Sequence, residues 1–213
     1  MTEGLREQKK RRTRQRLHDV ALGLFVERGF DHVTIAEVAA AAEVSVNTLY
    51  NYVQAKEDLV LDPQRTAEER LADIVRRRGP GESAARAVLD RLREMVRRRD
   101  RALGLTDGFG RVYEMMRAAP TLTARLDDLG RQMTAALEAV LAEETGTGPG
   151  DPLPRVVAAQ IGLAHSLVFA EIGRRTTAGE SPETIATAVL RLLDVVEDLL
   201  GETVLTYATR EDR

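Results

Sequence analysis

The residues of this chain whose types and spacing could do chemistry lie within its first sixty positions. A basic run over residues 6–16 carries seven lysines and arginines against the single acid Glu7. Hydroxyl, amide and phenol side chains follow between Thr34 and Asn51, and a lysine stands at position 56. Cationic and hydroxyl groups donate to phosphate oxygens, and amides pair with base edges. These types therefore predict recognition of a nucleic acid.

Catalytic chemistry is poorly represented. The chain has no cysteine, which excludes disulfides, thiolate metal sites and a cysteine nucleophile. Its three histidines, His18, His32 and His165, are scattered. They form no metalloprotease pattern or serine triad, and the chain has no phosphate loop and no paired-carboxylate signature. The sequence predicts a protein that is not an enzyme and has no metal or cofactor.

Composition favours an all-α fold. Hydrophobic residues make up 43% of the chain, but aromatic residues only 4%. A core built from Leu, Val, Ile, Ala and Met suits helices better than sheets. The formal net charge is −3, so a local basic run on a mildly acidic protein indicates one end that faces nucleic acid.

Nothing in the sequence indicates export. The N-terminus runs into the basic block without an apolar stretch, which is unlike a secretory signal. We expect no segment to approach the roughly 20 apolar residues of a membrane span. The absence of cysteine is compatible with a reducing compartment, so the predicted location is cytoplasmic.

Apolar spacing predicts about nine helices and no strands. Their approximate ranges are 11–28, 34–41, 45–51, 56–78, 83–99, 109–118, 121–144, 153–175 and 182–200. Pro63 is expected to kink or split the fourth helix. Thr34 with Glu37 predicts a capping box for the second helix, and Ser45 caps the third. Two short helices separated by three or four residues predict a helix-turn-helix.

The third helix has the features of one that reads DNA: it is short, capped and amphipathic. Such a helix points its first residues at base edges in the major groove. The core pattern does not need Val46, Asn47 or Asn51, and Asn47 is suited to adenine. The alternative for Asn47 is a solvated helix position. Three hydroxyl residues at helix starts are predicted to be caps and phosphate donors, namely Thr34, Ser45 and Thr48.

Two stretches, TRQRLHDVALGLFVERGF and VTIAEVAAAAEVSVNTLYNYVQAKEDLV, resemble the TetR family of regulators over about a quarter of the chain. The resemblance implies that Tyr50 and Lys56 are a phosphate-binding pair. The chain departs from the family at Glu43, where a glycine is frequent. Ala55 stands where a capping residue would be better before Lys56. These departures predict an altered turn and a frayed start of the fourth helix.

The basic run has two interpretations. Charge runs are usually solvated faces or disordered tails. A functional arm would instead neutralise phosphates or enter the minor groove. The residues predicted to do so are Lys9, Lys10, Arg11 and Arg12.

The predicted division is a DNA-binding domain over residues 1–54, with its basic arm, and a helical effector-binding and dimerisation domain over 55–213. The last two helices carry apolar residues on more than one face, which fits either burial within a monomer or packing against a partner. The resemblance implies a four-helix dimer interface there. A dimer would present two reading helices to a palindrome.

The resemblance also implies a small-molecule pocket between Lys56 and Arg175. Met and aromatic side chains with a few polar groups suit an adaptable pocket, and ordinary core packing is the alternative for each of them. The candidates are Met95, Phe109, Tyr113, Met116, Met133, Gln160, His165 and Phe169. The expected function is a transcriptional repressor released from its operator by an unidentified small-molecule effector. The alternative is a helical architectural DNA-binding protein with no effector pocket.

Overall fold

The computed structural model describes residues 4–61, 70–148 and 150–211. Within these ranges the protein is all-α, with nine α-helices and no strand, as predicted. The helices are α1 Leu5–Arg28, α2 Ile35–Ala41, α3 Val46–Tyr50, α4 Leu71–Arg77, α5 Ala84–Arg97, α6 Phe109–Ala118, α7 Pro120–Thr145, α8 Leu153–Thr177 and α9 Pro182–Thr206. Two short 3-10 helices, Lys56–Leu59 and Arg101–Leu103, complete the described elements.

The chain divides into two compact units. The first comprises Met1–Gln64 and Arg111–Leu126, and the second comprises Arg65–Gly110 and Asp127–Arg213. Helices α6 and α7 each contribute residues to both units. The domain boundary expected between residues 54 and 55 remains a prediction.

Side-chain caps fix where the helices begin. A backbone N–H three residues ahead donates to the hydroxyl of each predicted N-cap residue, and these residues are Thr34, Ser45, Ser83 and Ser181. Such a bond satisfies one of the N–H groups that the first turn leaves unpaired. Because these hydroxyls are visible in the sequence, the starts of α2, α3, α5 and α9 were predicted to within one residue.

Helix ends without such a side-chain cap lie further from their predicted positions. Helix α1 begins at Leu5, six residues before the predicted start, because Lys, Arg, Gln and Glu are good helix formers. Helix α9 continues to Thr206 through a kink at Gly201, whose φ of 69° suits glycine, and buries Val204 beyond it. The predicted fourth helix starts as the 3-10 turn Lys56–Leu59, and Pro63 lies outside the described residues.

The core of the first unit is centred on α1. Leu17, Ala21 and Phe25 of this helix are fully buried, together with Val38 of α2 and Leu49 of α3. The Phe25 and Phe30 rings meet edge to face with their centroids 4.9 Å apart. Helix α1 therefore supports both helices of the helix-turn-helix.

The second unit is a bundle in which α9 packs against α5 and α8. Helix α7 approaches α8 closely at Gly162, because a Cβ there would lie only 2.5 Å from Thr134 Oγ1. Apolar side chains from α4, α5, α7, α8 and α9 form one continuous core. This core positions the long faces of α8 and α9 that remain outside it.

Helix α8 corrects one expectation. Leu153–Thr177 is long and apolar enough to cross a membrane by length and composition, although 39% of its most apolar window is buried in the fold. The sequence-based expectation that no segment approaches a span was wrong by this criterion. The physical reason is that α8 is apolar on two sides, one packed in the core and the other exposed.

Candidate nucleic-acid interface

The capping box that begins α2 is formed as predicted. Thr34 N donates to Glu37 Oε2 at 2.7 Å, and Glu37 N donates to Thr34 Oγ1 at 3.2 Å. The Glu37 carboxylate accepts from both Thr34 N and Thr34 Oγ1, and these two hydrogen bonds lower the pKa of the Glu37 carboxyl, with the charges of Arg28 and Lys56 adding to the effect. The predicted phosphate donor Thr34 is exposed and holds its hydroxyl at the start of α2.

Helix α3 has one buried face and one exposed face. Leu49 is fully buried, whereas Val46 is 38% and Tyr50 52% exposed. Asn47 is exposed on the same short helix, and Asn51 is exposed as its C-cap residue. This is the division that the sequence predicts, with the candidate base-reading residues outside the core.

The start of α3 is fixed by a pair of hydroxyls. Thr48 N donates to Ser45 Oγ at 3.0 Å, and the Ser45 and Thr48 hydroxyls lie 2.8 Å apart. Both hydroxyl groups therefore lie at the helix N-terminus, where backbone N–H groups and the helix dipole favour anions. The geometry is compatible with a phosphate contact at this end of α3.

The turn between α2 and α3 is closed by two backbone hydrogen bonds. Glu43 N donates to Ala40 O and Val44 N to Ala39 O, the pattern of a Schellman motif. The residue at the left-handed position is Glu43, with φ 55°, and not a glycine. A left-handed conformation costs a side-chain-bearing residue about 1–2 kcal/mol. Glu43 was expected to alter this turn. The turn instead keeps its usual hydrogen bonds, and the departure from glycine appears as backbone strain at Glu43.

Lys56 is more enclosed than its predicted role requires. Its ammonium lies 4.2 Å from the centroid of the Phe30 ring and 5.5 Å from that of Phe25, and it donates to Phe30 O. Burial lowers the pKa of Lys56, against the raising effect of the nearby acids. An ammonium has three donors, so the hydrogen bond to Phe30 O does not prevent Lys56 from also donating to a phosphate. That phosphate contact stays a prediction.

The sequence did not predict the contacts that Asp58 makes with the backbone before it and with Arg125. Asp58 Oδ2 accepts from Gln54 N and Ala55 N, each at 3.0 Å. Asp58 thereby fixes the backbone that enters the 3-10 turn, although Ala55 itself offers no side-chain cap. Asp58 is only 8% exposed, and Arg125 of α7 lies 3.5 Å from its other oxygen. The spacing of Asp58 after Ala55 was the available signal, and the predicted fraying is replaced by a 3-10 turn.

The basic run is helical and its members differ in role. The predicted arm residues Lys9, Lys10, Arg11 and Arg12 are exposed along the first turns of α1. The half-buried Arg14 and the exposed Arg16 differ in that they donate to backbone carbonyls of the helix-turn-helix, Tyr52 O at 3.2 Å and Ala42 O respectively. The sequence predicted all of these residues as one charge run, because composition does not distinguish an arginine that binds phosphate from one that donates to a backbone carbonyl.

The effector-pocket candidates are divided between the two units. In the second unit Met95 is buried in the core, Phe109 and Met133 pack against that core, and the Phe109 and Phe169 rings meet edge to face at 6.3 Å. Gln160 and His165 of α8 are half-buried, and burial lowers the pKa of His165. Tyr113 and Met116 belong to the segment Arg111–Leu126 of the first unit.

A capped reading helix held by two supporting helices defines a helix-turn-helix DNA-binding protein. Residues 17–62 match the family model described as bacterial regulatory proteins, tetR family. The HTH-type transcriptional regulator TcmR of Streptomyces glaucescens is 30% identical over 175 residues, which cover 80% of this chain and 74% of that protein. The chain belongs to the TetR family of transcriptional regulators.

Further comparisons agree. The HTH-type transcriptional repressor KstR of Rhodococcus jostii (strain RHA1) is 25% identical over 180 residues, covering 84% of this chain and 82% of that protein. The crystal structure of NalD, a repressor from Pseudomonas aeruginosa, matches with a TM-score of 0.51 at 19% identity, covering 89% of this chain and 97% of the other. The second likeness concerns the fold alone.

Proposed function

We propose that this chain is a homodimeric repressor that binds an inverted-repeat operator and leaves it when a small molecule binds. The observation that carries the proposal is the exposed face of α3, where Val46, Asn47 and Tyr50 lie outside a fully packed module. A side chain that the fold does not use and that sits on a capped helix is available to a groove.

The contacts divide into those that read bases and those that hold the backbone. Val46, Asn47 and Asn51 are proposed to meet base edges. Phosphates would be held by hydroxyl and cationic groups around them, namely Thr34, Ser45, Thr48, Tyr50, Lys56 and the α1 residues Lys9, Lys10, Arg11 and Arg12. Phosphate contacts fix the register and give affinity, whereas the base contacts give the sequence preference.

The dimer is proposed to form through α8 and α9. Six large apolar side chains on these two helices are exposed in the single chain: Leu153, Val156, Leu163, Leu167, Val195 and Leu199. Leu199 is 80% and Leu163 59% exposed, although their helices pack against each other on the opposite faces. Several large apolar side chains exposed on two adjacent helices support a protein interface, and a second copy gives the two-fold symmetry of a palindrome.

Effector release needs a pocket and two states. The half-buried Phe109, Met133, His165 and Phe169 of the second unit are the proposed lining, and the relative KstR is described as a repressor. A ligand there can shift the protein from its operator-bound form only by its different affinity for the two forms. Tyr113 and Met116 lie on the α6 segment that belongs to the first unit, so α6 is the element proposed to transmit the change.

The proposed location is the cytoplasm, and no catalytic activity is proposed.

Selection of binding sites from random DNA duplexes tests the proposal. The purified protein is mixed with the library at about 150 mM salt, because affinity without a stated salt concentration cannot be interpreted. An enriched inverted repeat is the expected result. Retention of DNA with no enriched motif would favour an architectural protein instead. A motif that is a single half-site would exclude the dimeric mode of reading.

A further inference from the structure

Two arginines of α1 hold the two flanks of the reading helix. Arg16 donates to Ala42 O, in the turn three residues before the N-cap Ser45. Arg14 donates to Tyr52 O, two residues after the end of α3, at 3.2 Å. The donors are two residues apart on one helix, and their acceptors lie on opposite sides of α3 along the chain.

The acceptors are carbonyls that the helices leave unpaired. Ala42 is the C-cap of α2, and the Schellman bonds of this turn use Ala39 O and Ala40 O but not Ala42 O. The last carbonyls of a helix have no partner within it and attract cations through the helix dipole. A guanidinium is suited to them, because it is always charged and its donors are fixed in a planar fork.

The turn that Arg16 reaches is also the one that carries strain. Glu43 follows Ala42 directly and adopts a left-handed φ of 55°. In a chain with glycine at this position the turn would form without that penalty. Here an extra hydrogen bond to the adjacent carbonyl offsets it.

We infer that Arg14 and Arg16 are positioning residues, which set the orientation of the reading helix through Tyr52 O and Ala42 O and do not bind phosphate. The inference rests on the proposed function, because the orientation of α3 matters only if α3 reads DNA. It divides the basic run into a DNA-facing part, Lys9 to Arg12, and a part whose hydrogen bonds to backbone carbonyls support the helix-turn-helix.

The salt dependence of binding separates the two roles. The full-length protein is titrated with its own selected duplex at several salt concentrations. Affinity falls as salt rises, and loss of one phosphate contact makes the slope of log affinity against log salt less negative by about 0.9. We expect this change in Arg12→Gln. Arg16→Gln should instead weaken binding about tenfold, the effect of one charged hydrogen bond, with the slope unchanged. Arg131→Gln, an exposed arginine on α7, is the control for loss of charge.

A second substitution tests the mechanism by rescue. Glu43→Gly removes the left-handed penalty, so the turn should form without help from Arg16. In the wild-type background this change should leave affinity as it is, because the turn is already formed. In the Arg16→Gln background it should restore most of the lost affinity. A double variant that binds no better than Arg16→Gln would contradict the proposed link between Arg16 and the turn.

Amide hydrogen exchange in the free protein gives a readout that needs no DNA. Arg16→Gln should speed exchange at Glu43 and Val44 about tenfold, because their hydrogen bonds close the turn. Arg14→Gln should do the same at Asn51 and Tyr52, while Arg12→Gln should leave all four amides unchanged. Unchanged exchange in both variants, or a less negative salt slope in Arg16→Gln, would overturn the inference. If the wild type selects no duplex, the proposed function fails, and exchange alone decides the positioning role.

Discussion

At the scale of single residues, the exposed face of α3 makes separate predictions for affinity and for specificity. Asn47→Ala should relax preference at one base position by about 1–3 kcal/mol. Tyr50→Phe keeps the ring but removes the hydroxyl, and it should weaken all duplexes alike by about 1 kcal/mol. Repeating the duplex selection with each variant measures both effects. An unchanged ranking of sites for Asn47→Ala would show that Asn47 does not read bases.

His165 predicts a pH dependence of stability. Burial lowers the pKa of His165 below its usual 6.5, so the unfolded chain binds a proton more readily than the folded one. The free energy of unfolding therefore begins to decrease when the pH falls through the pKa that His165 has in the unfolded chain. It keeps decreasing until the pH reaches the lower pKa of the folded protein. His165→Gln removes this titration. Its unfolding temperature should drop less than that of the wild type between about pH 7.5 and pH 5.5.

The control for this experiment is already within the chain. His18 and His32 are present in both proteins, so any difference in the pH slope belongs to position 165. The Glu171 carboxyl, whose pKa the neighbouring arginines 174 and 175 lower to about 2, titrates below the window. Equal pH slopes for the two proteins would mean that His165 does not stay neutral in the fold.

Single residues also show where sequence reasoning reaches its limit. The caps Thr34 and Ser45 were predictable, because a hydroxyl at a helix start acts on N–H groups three residues away. The role of Arg16 was not, because its acceptor Ala42 is 26 positions distant and any carbonyl is chemically the same. Lys56 was predicted as a phosphate ligand, whereas its contacts with the ring and carbonyl of Phe30 join residues 26 positions apart and have no local sign in the sequence.

At the scale of elements, the 3-10 turn Lys56–Leu59 contains the buried carboxylate of Asp58, which forms an ion pair with the partly exposed Arg125. Asp58 accepts two backbone N–H groups and faces Arg125 of α7 at 3.5 Å. Removal of one partner leaves a buried charge without its counterion, which costs more than the pair contributes. Arg125→Met should therefore lower the free energy of unfolding by about 1–3 kcal/mol, as measured by denaturant titration.

A double-mutant cycle separates this pair from loss of packing by the Arg125 stem. Asp58→Asn removes the charge but keeps an oxygen that accepts from the backbone. In that background Arg125→Met should cost clearly less than in the wild type. Equal losses in both backgrounds would mean that Arg125 acts through its other contacts and not through Asp58.

The elements themselves were predicted well where local signals exist. Nine helices were expected and nine are described within residues 4–61, 70–148 and 150–211. The early start of α1 and the extension of α9 past Gly201 were missed, because the first follows weak summed propensities and the second follows tertiary packing of Val204. The pairing of the α7 segment with the helix-turn-helix unit is likewise a long-range contact with no local sign.

At the scale of the whole molecule, the exposed apolar faces of α8 and α9 predict a dimer on which DNA binding depends. Leu163→Glu and Leu199→Glu each place a charge on the proposed interface. Each should convert the protein to a monomer at micromolar concentration, because a desolvated charge without a partner opposes association. Ala136→Glu, on the exposed side of α7, adds the same charge elsewhere and should stay dimeric. Analytical ultracentrifugation measures the three masses.

The two monomeric variants should also lose most of their affinity for an inverted repeat. They should keep their affinity for a single half-site, since one reading helix still works alone. Variants that remain dimeric would exclude this face as the interface.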